Sequence, residues 1–141
     1  MKRYKSLYEA YKIIGYHQTD YARDILENGF DLSKINVAFL GAGFSFSTEP
    51  FNDMNKKNIL KVEIKFKNPL SDYEIWRENT NNLNMTNLLK ASKELTSRLR
   101  KLGYDGILAF RKYGWWENSP NRDDEIIVFN PKNIKNISIY R

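Results

Sequence analysis

Residues 59–67 constrain the fold of this chain most. Leu60, Val62, Ile64 and Phe66 alternate with Lys61, Glu63, Lys65 and Lys67. A period of two places one set on each side of a strand, so this segment reads as a half-buried strand with one wet face. Asn68-Pro69 ends it. Shorter strands are expected over residues 12–17, 44–47, 104–110, 125–129 and 134–140, with residues 37–40 either strand or loop. Helical spacing appears in three places. Tyr4, Leu7, Tyr8 and Tyr11 mark a small amphipathic helix over residues 3–12. Ala22, Ile25 and Leu26 mark a second, capped by Thr19 or Asp20 and ended by Gly29. Leu88, Leu95, Leu99 and Leu102 form the stripe of a third, stopped by Gly103. The Asn-rich residues 77–87 read as an irregular connection. Strands outnumber helices and do not alternate regularly with them, which predicts an α+β fold. A length of 141 residues without repeats or a linker predicts a single domain over 1–141.

Composition narrows the function classes. There is no cysteine, which excludes disulfides and thiolate metal sites, and a single histidine argues against zinc; no metal is expected. No apolar run approaches the ~20 residues of a membrane span, and no apolar signal-peptide core follows the basic start, so the expectation is a cytosolic protein with no membrane partner. The net charge of +6 favours polyanionic partners, although the lysines are scattered.

Three separated segments end apolar runs in polar groups. They are Gly15-Tyr16-His17-Gln18-Thr19-Asp20, Gly41-Ala42-Gly43-Phe44-Ser45-Phe46-Ser47-Thr48 and Asp123-Asp124-Glu125-Ile126-Ile127-Val128-Phe129-Asn130-Pro131. Taken singly, each has a structural reading: a hydrogen-bonded histidine, serines alternating with packed rings, a solvated acidic turn. Gly41-Ala42-Gly43 is not a dinucleotide fingerprint, because Phe46 occupies the third glycine position and a strand follows instead of a helix.

In their order, the three segments resemble the His…aromatic/Ser…Glu signature of the ADP-ribosyltransferase fold, over nearly the whole chain. The resemblance implies a split pair of small β-sheets with flanking helices and an NAD co-substrate. It places His17, Gln18 and Thr19 at the first motif, where the histidine meets the adenosine ribose and the backbone of residue 18 meets the carboxamide. The family usually has glycine at 18. Ser45, Phe46 and Ser47 fall at the second motif, with Phe44 or Phe46 as the stacking ring, and Glu125 falls at the catalytic position. Asp123 stands two residues earlier and shares its strand face. Cleaving the ribose–nicotinamide bond builds oxocarbenium character, and a carboxylate facing that charge lowers the barrier.

The resemblance also makes residues 111–124 the acceptor loop. Two adjacent tryptophans cannot both face a core on a regular strand, so at least one of Trp115 and Trp116 is expected at the surface. Together with Tyr113, Arg122 and Asp123 they form the expected acceptor contact. The implied activity is mono-ADP-ribosyl transfer from NAD to a macromolecule, RNA or DNA being slightly favoured over protein. The implied setting is a bacterial or phage effector or toxin acting in the host cytosol, with an antitoxin or immunity protein as a further partner. The rival readings are an NAD glycohydrolase, an RNA 2′-phosphotransferase and an inactive nucleic-acid-binding module on the same fold.

Overall fold

The computed structural model describes residues 11–38 and 40–141. Strand β1 (Tyr11–Thr19) leads into helix α1 (Ala22–Asn28). Strands β2 (Asn36–Ala38), β3 (Gly41–Ser47) and β4 (Asn58–Phe66) follow, then a two-residue strand β5 (Pro69–Leu70). Helices α2 (Tyr73–Asn79) and α3 (Leu88–Lys101) precede strands β6 (Gly106–Ala109), β7 (Glu125–Val128) and β8 (Ile134–Ile139). The fold is α+β, as expected. The helix expected over residues 3–12 falls mostly outside the described residues, and its last two positions belong to β1.

The sheet runs β5-β6-β7-β3-β1-β4-β8, with β2 on β3. It is one hydrogen-bonded path and not two separate sheets, but the path narrows sharply in the middle. β1 and β4 pair along their whole length, from Tyr11↔Phe66 to Thr19↔Asn58. By contrast, β1 and β3 share the single pair Tyr16↔Ser47. Two lobes, β1-β4-β8 and β3-β7-β6-β5, therefore meet at a pinch. Away from it they share a core, in which Phe44, Phe46, Leu108, Ile126 and Val128 of one lobe meet Val62, Ile64 and Phe66 of the other. The apolar half of the alternation in β4 is thus used to bind the lobes together. At Gly106 a Cβ would collide with the Phe66 ring and approach the Ile127 carbonyl oxygen at 2.5 Å, so this contact requires glycine.

The opposite face of β6 and β7 packs on the helices through Ile107, Ala109 and Ile127. These strands are covered on both faces, which explains their continuous apolar runs. Helix α2 was not anticipated; only its last three residues overlap the irregular connection expected over 77–87, and residues 80–87 are irregular as expected. Asp72 caps it by accepting from the Glu74 amide, and Trp76 is buried with its indole N–H donating to the Leu40 carbonyl. In α3 the buried stripe is Ala91, Ser92, Leu95, Thr96 and Leu99. Leu88 and Leu102, expected on it, stand at the two ends of α3 and are 41% and 57% exposed. Thr96 fastens α3 to β3, accepting from the Ala42 amide and donating to the Ala42 carbonyl. Neither Thr19 nor Asp20 caps α1. Thr19 Oγ1 accepts from the Tyr21 amide, and Asp20 accepts from the Lys57 amide across the chain.

Candidate functional site

A cleft of about 1090 Å³ opens at the pinch between the lobes. This is just above the usual range for small-molecule sites, ~300–1,000 Å³. The three sequence segments converge here: His17, Gln18 and Thr19 from β1, Phe44 to Ser47 from β3, and Asp123 to Glu125 at the start of β7 all line it.

The contacts between them are direct. The His17 Nδ1 atom lies 3.1 Å from the Ser45 carbonyl oxygen. A carbonyl only accepts, so Nδ1 carries the proton and Nε2 is left as an acceptor. Burial pushes the imidazole below its usual pKa, and the Ser45 carbonyl opposes this in part. The ring is therefore neutral at pH 7. The Ser45 hydroxyl donates to Glu125 Oε2 at 3.0 Å, which fixes the carboxylate on its half-buried strand end. On the other side Arg122 Nη2 stands 3.5 Å from Glu125 Oε1. Ser47 is the register partner of both Glu125 and Tyr16, so it marks the point where the lobes join.

An aromatic group lines the cleft near His17. Phe30 sits edge-on to His17, Phe44 and Phe46, each with ring centroids 5.3 Å away. Phe46 lies 5.6 Å from the His17 ring. Phe30 was not anticipated. It follows the glycine that ends α1 and carries no motif, so only the tertiary fold brings it to the site.

The acceptor loop differs from expectation. Trp115 is 1% exposed and donates to the Ser71 carbonyl, packed on Tyr73 and Trp76. Trp116 is half-buried and donates to the Ala109 carbonyl. The premise that both cannot be covered holds for a regular strand only. Here the backbone turns left-handed at Trp116, with φ of 64°, and both rings pack in the same apolar cluster. Tyr113 is exposed but stacks on Phe110, and none of the three lines the cleft. Arg122 does line it, with its guanidinium 4.3 Å from the centre of the Trp116 ring. The loop is organised around Arg111, whose guanidinium donates to the carbonyls of Trp116, Ser119, Pro120 and Arg122. The Arg111 amide in turn donates to the Asp124 carboxylate.

The cleft has a charge opposite to that of the chain. Asp20, Asp24, Asp31, Asp53, Asp123, Asp124 and Glu125 face Lys34, Lys56 and Arg122, a formal balance of −4 with His17 neutral. Most of these carboxylates are tied internally; Asp123 is exposed and has no partner among the described residues. Among the described residues no cluster of side chains could hold a metal ion, and no helix is long and apolar enough to cross a membrane. No protein-family profile, curated protein or solved structure matches the chain.

Proposed function

We propose that this protein is a mono-ADP-ribosyltransferase that moves ADP-ribose from NAD to a macromolecular acceptor. The observation that carries the reading is the Ser45–Glu125 hydrogen bond beside the His17–Ser45 contact, in one cleft at the pinch. Glu125 is the proposed catalytic residue. Its carboxylate, oriented by Ser45, accepts from a ribose hydroxyl and opposes the positive charge that develops on the sugar. His17 offers Nε2 as an acceptor for a second hydroxyl. Phe44 and Phe46, expected as the stacking ring, are buried in the core at 6% and 2% exposure, so the half-buried Phe30 is the ring that offers an apolar surface to a planar group. Thr19 and Ser47 supply further hydroxyls along the wall.

The acceptor follows from charge. The acidic balance of the lining attracts a cationic side chain, while Lys34, Lys56 and Arg122 are its cations for the diphosphate of NAD. With Trp115 buried, the base-stacking platform loses its main member. Both features favour a protein acceptor over the nucleic acid that composition suggests. An effector role in a bacterial or phage-infected cytosol, with a cognate antitoxin, belongs to the same proposal.

The test is incubation of the protein and its Glu125→Gln variant with adenine-labelled NAD and whole-cell lysate. Label that enters protease-sensitive material only with Glu125 present supports the proposal, and nuclease-sensitive label would move the acceptor to nucleic acid. Free ADP-ribose without labelled macromolecules means a glycohydrolase. An equally active variant removes Glu125 from catalysis.

A further inference from the structure

Gln18 lines the cleft, and each end of its amide is engaged by the neighbouring loop. Its Nε2 donates to Asp53 Oδ1 at 2.7 Å, and its Oε1 accepts from the Met54 amide at 2.9 Å. Both partners belong to the segment 48–57, which links β3 to β4 and has no regular structure. Two residues along, Asp20 accepts from the Lys57 amide at 2.9 Å and lies 3.7 Å from the Lys56 ammonium. The segment is closed on itself by Asn52, which binds the Lys56 amide and carbonyl. The end of β1 therefore holds this segment at four points. Asp53, Met54 and Lys56 form part of the cleft lining, while the Met54 side chain is 59% exposed and has little packing of its own.

We infer that Gln18 is a positioning residue: it acts as a latch that holds the 48–57 segment upright as one wall of the cleft, and so sets the width of the site. The physical argument is one of alternatives. An irregular ten-residue connection without a buried apolar anchor opens readily. The latch supplies two hydrogen bonds to adjacent residues, one of them charge-assisted. A glycine or alanine at 18 would leave only the Asp20 ties at the far end. The wall then presents the Met54 thioether, the Asp53 carboxylate and a Lys56 ammonium shared with Asp20 to whatever enters. That combination suits a ligand with an apolar face and polar groups beside it. The assignment of that ligand to NAD rests on the transferase reading; the latch does not.

The test uses the full chain. Amide exchange at Met54 and trypsin nicking after Lys56 and Lys57 are measured for the wild type, Gln18→Ala, Gln18→Glu and the pair Gln18→Glu/Asp53→Asn. Loss of the latch should speed Met54 exchange and nicking by about ten-fold or more. Gln18→Glu should do the same, because it sets two carboxylates against each other. The paired exchange reverses donor and acceptor and should restore the wild-type rates to within about two-fold. Asp53→Ala, made in the loop and not in the sheet, tests the same bond should Gln18→Ala fail to fold. Unchanged exchange in the single variants, or no rescue in a folded pair, overturns the latch. In turnover, Gln18→Glu should raise KM for NAD with kcat held, and the pair should return it. A KM that stays put while the loop opens overturns the wall as a ligand contact. If the wild type does not turn NAD over at all, the transferase reading fails, while the exchange data still decide the latch.

Discussion

Replacing Trp115 with alanine separates the two roles open to the tryptophan pair. In the structure the ring is 1% exposed, lies 5.3 Å from Tyr73 and 5.5 Å from Trp76, and donates to the Ser71 carbonyl at 2.8 Å. Truncating a buried Trp or Phe to alanine costs ~3–5 kcal/mol, because transfer energy and a residual cavity add. Loss of the indole N–H, which leaves the Ser71 carbonyl to find water, keeps the expectation in that range. A protein of this size shifts in Tm by roughly 3–4 °C per kcal/mol, so the melting point should fall by about 10–20 °C. Since total stability is ~5–15 kcal/mol, the variant should remain folded at low temperature, with little margin. Urea titration followed by far-UV circular dichroism measures the change, provided the denaturant slope is preserved. Trp115→Phe, which keeps most of the packing and loses the hydrogen bond, should cost about 1–2 kcal/mol. A Trp115→Ala variant that loses less than about 1 kcal/mol but no longer modifies its acceptor would refute this reasoning and return the residue to the surface.

The remaining expectations concern the cleft. Ser45→Ala removes the hydroxyl that orients Glu125; a hydrogen bond to a charged group is worth ~1.5–3 kcal/mol, so turnover of NAD should fall about ten- to hundred-fold at unchanged stability. Steady-state rates check this, and an unaltered kcat would show that the carboxylate is held by other means. His17 gives a pH dependence of stability. Its folded pKa is depressed by burial, so between that value and ~6.5 the unfolded chain binds a proton that the folded chain refuses. Stability should therefore be flat above pH ~6.5, fall as the pH drops through this window and level off below the folded pKa. No other histidine competes there, and the lowered carboxyls of Asp31 and Glu63 lose their contributions only at lower pH. Urea midpoints from pH 7.5 to 5 read the slope, which should vanish in His17→Phe; a slope that persists assigns it elsewhere.

The sequence was most legible where one period dominated. The alternation of residues 59–67 placed β4 within a residue of its ends, and Gly29 and Gly103 marked real helix stops with positive φ. The convergence of His17, Ser45 and Glu125 was legible because each sits on or at the end of a strand, where side-chain direction is fixed by parity. What escaped was set by tertiary contacts. Helix α2 is short and held by Trp76 reaching the Leu40 carbonyl, a partner 36 residues away that local pattern does not reveal. Trp115 and Trp116 violated a rule that holds only for regular backbone, since a left-handed residue lies between their directions. The same limit applies to Gln18. The resemblance led one to expect glycine there, and nothing local shows that the glutamine amide is engaged by a loop 35 and 36 residues downstream.

Charge shows why composition alone misplaces a partner. The chain carries +6, while the cleft lining is formally −4, so the remaining surface is more basic than the total suggests. Part of that surplus lies on α3, where Lys90, Lys93, Arg100 and Lys101 are exposed and unpaired among the described residues. Cations in the last turn of a helix also favour its dipole, which gives Arg100 and Lys101 a local reason to be there. None of these four side chains on α3 lines the cleft. The groups that a ligand or acceptor meets at the pinch are the carboxylates of β7 and its preceding loop. The charge that bears on chemistry is therefore local; on the proposed transferase reading it favours a cationic acceptor side chain whose attacking atom has given up its proton near Glu125.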